Sequence, residues 1–186
     1  MTADDRYLSD TTDLLERTPR VLHDLLDDLP DSWLGAADQP DDGWAPRDVV
    51  GHLISAELDD WIPRIELIVT HGTQRPFEPF DRFAHVDRDE GVAMAALLDR
   101  FGQLRATNLV RLSELVTPDD LDRLGRHPSL GDVSLRQLLA TWAVHDLDHI
   151  AQLFAALSGS RDTAVGPWKA YLGILLRRDD PAAVPA

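Results

Sequence analysis

Hydrophobic side chains recur every three or four residues along four long stretches of the chain, which is the spacing of amphipathic helices. The pattern predicts helices over residues 10–29, 45–70, 88–116 and 135–159, and a shorter fifth helix over about 165–177. Pro19 and Pro63 fall inside the first two, and we expect each to bend its helix. Ser134 is a suitable N-cap for the fourth helix, and Gly159 a suitable end.

Turn-rich segments separate these stretches, and none of them carries a strand signal. We expect loops over residues 31–45, 72–86 and 121–134. Four long amphipathic helices predict an all-α fold, namely a four-helix bundle with a short extra C-terminal helix. The length fits a single domain over residues 1–186, with a core of about 10–178 and a loose tail over 179–186.

Composition and charge narrow the classes of partner. The chain has no cysteine, which excludes disulfides, thiolate metal ligands and a cysteine nucleophile. Its formal net charge is −15, and such a chain repels phosphate backbones, so we expect no nucleic-acid partner. No apolar run approaches the roughly 20 residues of a membrane span, and the N-terminus does not resemble a signal peptide. We therefore expect a cytoplasmic protein with no membrane partner.

The fourth predicted helix carries two histidines on its apolar stripe. In helical spacing this stripe contains Leu135, Leu138, Trp142, His145, His149, Gln152 and Ala156. Side chains four residues apart lie one above the other, so His145 and His149 can both reach one metal ion. Two buried histidines that only form hydrogen bonds would give the same pattern, and the pair alone does not decide between these interpretations.

A metal ion needs a third protein ligand, and the remaining histidines are His23, His52, His71, His85 and His127. Of these, His52 lies in the middle of a long predicted helix. At about 100° per residue it points away from the mean apolar direction of that helix, so periodicity predicts a flank or surface position. His71, His85 and His127 lie at helix ends or in loops, where we expect exposure.

Two segments together resemble a known family. GWAPRDVVGHLISAE, and far downstream HPSLGDVSLRQLLATWAVHDLDHIAQL, are similar to the DinB-like (DinB/YfiT) superfamily of metal-binding four-helix bundles, over roughly residues 10–158. The resemblance implies a divalent metal ion held by His52 from the second helix and by His145 and His149 from the fourth. It also implies that His52 faces the bundle centre, against the periodicity.

Three neutral imidazoles would leave open positions on the ion, as at a catalytic site. Zn²⁺, Ni²⁺, Mn²⁺ and Fe²⁺ are all compatible with the ligands. The resemblance implies an enzyme acting on a small-molecule substrate. Its metal would activate a low-molecular-weight thiol such as mycothiol, bacillithiol or glutathione, in a transferase or isomerase, or would activate water. It also implies that the chain can form a homodimer. The alternative is a non-catalytic metal- or ligand-binding bundle, of the kind induced under stress.

Other side chains could complete the site. Gln152 could hold a metal-bound water or pair with backbone, and Trp44 and Trp142 could wall a pocket or belong to the core. The same two interpretations apply to Phe77, Phe80 and Phe83. The acidic residues that could orient the histidines are Asp48, Glu57, Asp59, Asp146 and Asp148. Solvation at the surface is the favoured alternative for these acids. Basic contacts to an anionic thiol could come from Arg47, Arg75 or Arg82.

Overall fold

The computed structural model describes residues 1–34 and 44–176. Its α-helices are α1 (Ala3–Leu15), α2 (Thr18–Leu26), α3 (Asp31–Leu34), α4 (Pro46–Asp59), α5 (Trp61–His71), α6 (His85–Arg88), α7 (Met94–Leu115), α8 (Leu135–Gly159), α9 (Asp162–Val165) and α10 (Gly173–Leu176). Short 3-10 helices cover Gly72–Gln74, Pro118–Asp120 and Gly166–Tyr171, and two strands are β1 (Leu124–His127) and β2 (Gly131–Ser134). The predicted all-α bundle is confirmed, with this one small hairpin added.

The first predicted helix consists of two helices, and it begins earlier than the pattern indicated. Thr2 caps α1 through a capping box with Asp5, which starts the helix at Ala3 instead of near residue 10. Pro19 lies in the first turn of α2, where a missing N–H costs no hydrogen bond, so the chain breaks just before it.

The second predicted helix also breaks, but at Asp60 and not at Pro63. Asp60 ends α4 with φ −113° and ψ −66°, and α5 begins at Trp61. Pro63 cannot donate to the carbonyl group of Asp59, and its ring collides with that carbonyl, so the break falls one turn before the proline. This break turns the side chain of Asp60 toward the site described below.

The remaining helices follow the pattern to different degrees. The fourth predicted helix is α8, and Ser134 caps it in a capping box with Gln137, as predicted. The third begins at Met94 instead of near residue 88, because Gly91 makes a turn with φ +72°. The predicted fifth helix is interrupted: Gly166, at φ +56°, ends α9 and begins the 3-10 helix that precedes α10.

The prediction of a loop over 121–134 was wrong, because β1 and β2 form an antiparallel hairpin there. Its register runs from Leu124 opposite Ser134 to His127 opposite Gly131. Gly125 lets the hairpin lie directly on α5, since a Cβ atom there would come within 2.6 Å of Ile68 Cγ1. The hairpin therefore has a fixed position against α5.

The long helices enclose two clusters of buried hydrophobic side chains. One contains Trp61 and Trp142, and the other contains Leu53 and Phe101. On α8 the first cluster ends at Ala143 and the second includes Leu153, so the two histidines of this helix fall between them in sequence. Within the described ranges, no helix combines the length and the apolar character needed to cross a membrane. The single-domain boundaries stay a prediction, and the tail over 179–186 lies outside the described residues.

Candidate metal centre

Three histidine side chains converge where α4 packs against α8. His145 Nε2 lies 3.2 Å from His52 Nε2 and 3.1 Å from His149 Nε2. One ring nitrogen from each residue lies within 4.8 Å of the other two. His52 is 5% exposed, so the structure brings it to the bundle interior, and its predicted flank or surface position was wrong.

Outer contacts decide which nitrogen carries the proton in two of the three rings. His52 Nδ1 lies 3.2 Å from the carbonyl oxygen of Arg82, which only accepts, so Nδ1 donates and Nε2 keeps a lone pair. His149 Nδ1 likewise donates to Gln152 Oε1, 2.8 Å away. His145 Nδ1 is buried and has no hydrogen-bond partner among the described residues. Three Nε2 atoms therefore face one point, with at most one proton among them.

This geometry fits a divalent cation. Nitrogen–metal bonds of about 2.0–2.1 Å at a tetrahedral angle place two ligand nitrogens about 3.3–3.4 Å apart, close to both measured separations. Converging lone pairs repel one another unless a proton or a cation lies between them. The outer hydrogen bonds also match the usual arrangement at metal sites, in which the second ring nitrogen donates to an oxygen.

Burial keeps these imidazoles in their neutral, metal-binding form. It lowers the pKa of His145 from 6.5 to about 2 and the pKa of His52 to about 4, with the neighbouring His149 as the next cause for both. Burial also lowers the pKa of His149, although its hydrogen bond with Gln152 acts in the opposite direction. Near neutral pH no proton competes for the ring nitrogens.

Aromatic rings support the cluster from two sides. Trp44 stacks on His149 with ring centroids 5.9 Å apart and lies 4.6 Å from the His52 ring. Trp61 meets His145 edge to face at 5.1 Å. Trp142, the other predicted pocket tryptophan, is fully buried and stacks on Trp61, so it belongs to the core.

A buried ionic network lies next to the histidines. Arg105 of α7 donates to Glu57 Oε1 of α4 at 2.8 and 3.0 Å, and to both carboxylate oxygens of Asp146 at 2.6 and 3.0 Å. It also donates to the carbonyl oxygen of Leu15, and Trp142 Nε1 donates to Glu57 Oε1. We had expected Glu57 and Asp146 at the surface, and this was wrong, because both are buried. Their contacts with Arg105 fix the α8 backbone beside His145.

The other predicted acids do not reach the histidines. Asp48 accepts the N–H of Ala45 and so caps α4. Asp59 and Asp148 are exposed, as expected for solvated acids. Gln152 contacts the imidazole of His149, which makes it the polar residue of the predicted set that supports a ring directly.

An open cavity of about 440 Å³ adjoins the cluster. Its lining includes His52 and His145, the charged side chains Asp60, Arg64 and Arg82, the apolar side chains Trp61, Pro79, Phe80 and Pro128, and the polar side chains His127, Ser129 and Thr141. Of the three predicted phenylalanines, Phe80 lines the cavity, Phe77 is core and Phe83 is exposed. The histidine cluster therefore adjoins an open, partly polar space.

Several of the cavity's polar groups, among them Asp60, Arg64 and His127, were not among the predicted site residues. Asp60 and Arg64 form an ion pair at 2.7 Å, and burial raises the pKa of Asp60 from 3.8 to about 6. His127 is half-buried, whereas we had expected it to be exposed. The sequence signal for His127 was the HP…G turn, and the signal for Asp60 was Pro63, which breaks the helix one turn before its own position.

Of the remaining predictions for single residues, some are confirmed and others are wrong. His85 is buried, at 3% exposed, so its expected exposure was wrong, whereas His71 is exposed as expected. Arg47 donates to the backbone carbonyls of Asp89 and Val92 and is not free for a ligand. Arg75 is an exposed partner of Glu78. Of the three arginines proposed for an anionic cosubstrate, Arg82 lines the cavity.

Comparisons with known proteins agree with this fold. The sequence profile described as the DinB superfamily matches residues 14–153. A protein of Oceanobacillus iheyensis, whose name proposes a metal-dependent hydrolase, is 24% identical over 141 residues, which cover 75% of this chain and 79% of that protein. The solved structure of YfiT from Bacillus subtilis, described as a probable metal-dependent hydrolase with an unusual four-helix bundle topology, superposes with a TM-score of 0.65. The two sequences are 23% identical, and the superposition covers 84% of this chain and 87% of the YfiT chain.

Proposed function

Because the chain belongs to the DinB superfamily and gathers three neutral imidazoles beside an open cavity, we propose that it is a metal-dependent hydrolase. His52, His145 and His149 are the proposed ligands of one divalent ion. The observation that carries this proposal is the convergence of three Nε2 atoms, with neighbouring pairs 3.1 and 3.2 Å apart.

A divalent ion on three neutral ligands would supply a Lewis acid with an open position, which lowers the pKa of bound water toward neutrality. The chain itself contributes orientation. The Arg82 carbonyl and Gln152 fix the proton of two rings on Nδ1, and the Arg105 network fixes the backbone of α8. The cavity then holds a small molecule against the Nε2 side of the cluster.

Hydrolysis is the preferred reaction because the similar proteins of O. iheyensis and B. subtilis carry that description. The predicted use of a small thiol stays a prediction, since no contact in the cavity selects sulfur. Metal identity and the homodimer are likewise predictions. A bundle that binds metal without catalysis is the competing interpretation, and the experiment has to separate the two.

The test begins with metal content. Tag-free protein is stripped with a chelator, dialysed against Zn²⁺, Ni²⁺ or Mn²⁺, and analysed by plasma mass spectrometry. The wild type is compared with His52→Ala and His145→Ala, and the matched control is His71→Ala, because His71 is an exposed histidine outside the cluster. We expect close to one ion per chain in the wild type and the control, and loss of the ion in both other variants.

The second measurement follows metal-dependent cleavage of a panel of simple nitrophenyl esters and anilides. Turnover that needs the ion and disappears in His145→Ala supports the hydrolase. Stoichiometric metal without turnover across the panel would favour the non-catalytic bundle. Absence of metal from the correctly folded wild type, checked by circular dichroism, would overturn the metal site itself.

A further inference from the structure

The turn of the β1–β2 hairpin fixes the proton of a fourth imidazole. His127 Nδ1 accepts two backbone hydrogen bonds, from the N–H groups of Ser129 and Leu130, each at 3.1 Å. A nitrogen that accepts from two backbone donors carries no proton of its own. The neutral ring of His127 must therefore carry its proton on Nε2, on the opposite side from the turn.

That Nε2–H group is available to a ligand. His127 lines the same cavity as His52 and His145. Its ring stands edge to face with Phe77, and Nε2 has no protein partner within residues 1–34 and 44–176. Burial and the nearby charge of Arg64 both lower the pKa of His127, so the ring stays neutral near pH 7. Like an oxyanion-hole donor, this group is held in place before any ligand arrives.

The charges around the cavity favour a negative ligand, although the whole chain has a formal charge of −15. Arg64 and Arg82 line the cavity, and the acid beside them is Asp60, which pairs with Arg64. Arg82 lies over the rings of Trp44 and Phe83 at 5.4 and 5.2 Å. The three neutral imidazoles of the cluster would not offset the charge of a bound divalent metal ion, so the ion would add positive charge beside the cavity.

Four apolar side chains also line the cavity and would contact the body of the ligand. Trp61, Pro79, Phe80 and Pro128 surround the space between the hairpin turn and the histidine cluster. A volume of about 440 Å³ suits a small organic molecule rather than a polymer segment. A ligand with an apolar body and one acidic head would contact these walls and leave its oxygens to the polar groups.

We propose that this cavity binds a small carboxylate with an apolar body, one oxygen of which accepts the Nε2–H of His127. The proposal rests on the function proposed above, because it names the ligand class of the same site. It assigns His127 as a binding and specificity-determining residue, although the turn-rich sequence around it predicted an exposed loop.

The test uses sodium benzoate as the probe and benzamide as its neutral isostere. Binding to metal-free and to Zn²⁺-loaded full-length protein is followed by titration calorimetry and by ¹H–¹⁵N spectra of the imidazoles. We expect benzoate to bind more tightly than benzamide in both forms.

His127→Phe keeps a ring but removes the donor, and should weaken benzoate binding about tenfold or more, as for a hydrogen bond to a charged group. His127→Gln restores an N–H donor and should recover part of that loss.

The matched control is His71→Phe, which changes an exposed histidine outside the cavity and should leave benzoate affinity unchanged. The imidazole spectrum of the wild type should show the His127 proton on Nε2. Equal affinity of benzoate and benzamide, an unchanged affinity in His127→Phe, or a proton on Nδ1 would each overturn the proposal.

The two proposals fail separately. Binding of benzoate by the metal-free form that depends on His127, in a protein that retains no metal, would overturn only the metal site. Stoichiometric metal with no preference for benzoate would overturn only the carboxylate cavity.

Discussion

Gln152 determines, at the scale of single residues, which nitrogen of His149 faces the cluster. Its Oε1 atom accepts from His149 Nδ1 at 2.8 Å, one turn further along α8. Without this acceptor the proton of His149 could move to Nε2, and the ring could rotate about its side-chain torsions. Gln152 contributes no ligand atom itself, but it keeps the proton of His149 on Nδ1 and leaves Nε2 free to bind a metal ion.

We predict that Gln152→Leu weakens the affinity for Zn²⁺ by about 10- to 100-fold, the usual cost of losing an outer partner of a ligating histidine. Competition with a chromophoric chelator measures this change. Gln152→Glu keeps the acceptor oxygen and should retain most of the affinity. Gln103→Leu, at an exposed position of α7, is the control and should match the wild type. Equal affinity in Gln152→Leu would show that packing alone orients His149.

The same scale shows where sequence periodicity works and where it fails. His145 and His149 were predicted as a pair because they continue one stripe of α8. Periodicity did not predict the inward position of His52, which followed from the family resemblance. Every residue from 49 to 57 is buried, and a helix buried on all sides has no meaningful apolar direction. Asp146 was expected at the surface because it lies off the histidine stripe. Its partner, Arg105, lies 41 positions away in the chain, and one sequence carries no sign of that pairing.

At the scale of elements, Arg105 joins three helices through one guanidinium group. It contacts Glu57 of α4 and Asp146 of α8, and it donates to the last residue of α1. All three charged side chains are almost completely buried, at 1%, 2% and 0% exposed. Removing one partner of such a group leaves uncompensated charge in the interior, which costs far more than the pair contributes when intact.

Arg105→Met should therefore lower the free energy of unfolding by about 3–5 kcal/mol, measured by urea denaturation of the metal-free protein. It should also weaken metal binding, because the α8 backbone beside His145 loses its anchor. Arg111→Met removes an exposed arginine from α7 that pairs with Glu66 and Glu114, and we expect little change there. A similar small effect of both substitutions would mean that the two buried carboxylates become protonated without cost.

The hairpin shows why some elements escape a sequence pattern. β1 and β2 have only four residues each, and Gly125 interrupts any alternation. The side chain of His127 then closes the turn by accepting two N–H groups, a role that no propensity scale assigns to histidine. The long helices were predictable because their packing repeats along the chain, whereas this turn depends on one side chain.

For the whole molecule, the buried histidines couple folding to pH. In the metal-free protein, burial lowers the pKa of His52 to about 4, against 6.5 for the free side chain. The unfolded chain therefore binds more protons than the folded chain between these values. Stability from His52 is complete above pH 6.5 and is lost as the pH falls toward about 4.

We predict that the unfolding free energy of the wild type, relative to His52→Asn, decreases over this window by up to about 1.4 kcal/mol per pH unit. Urea titrations in the presence of a chelator measure the difference, and comparison with the variant cancels the titrating groups that do not interact with His52. A difference that stays constant with pH would mean that His52 is solvated in the metal-free state and that the cluster opens without its ion.

Asp60 provides a control with the opposite sign in the same cavity. Burial raises its pKa from 3.8 to about 6, so the folded chain holds a proton that the unfolded chain has already released. The stability that it contributes is complete below pH 3.8 and is lost as the pH rises through about 6. Relative to Asp60→Asn, the wild type should therefore gain stability on acidification over the range in which it loses stability relative to His52→Asn. Opposite slopes would show that both buried groups titrate in the folded bundle, whereas equal slopes would indicate a general acid expansion that neither residue controls.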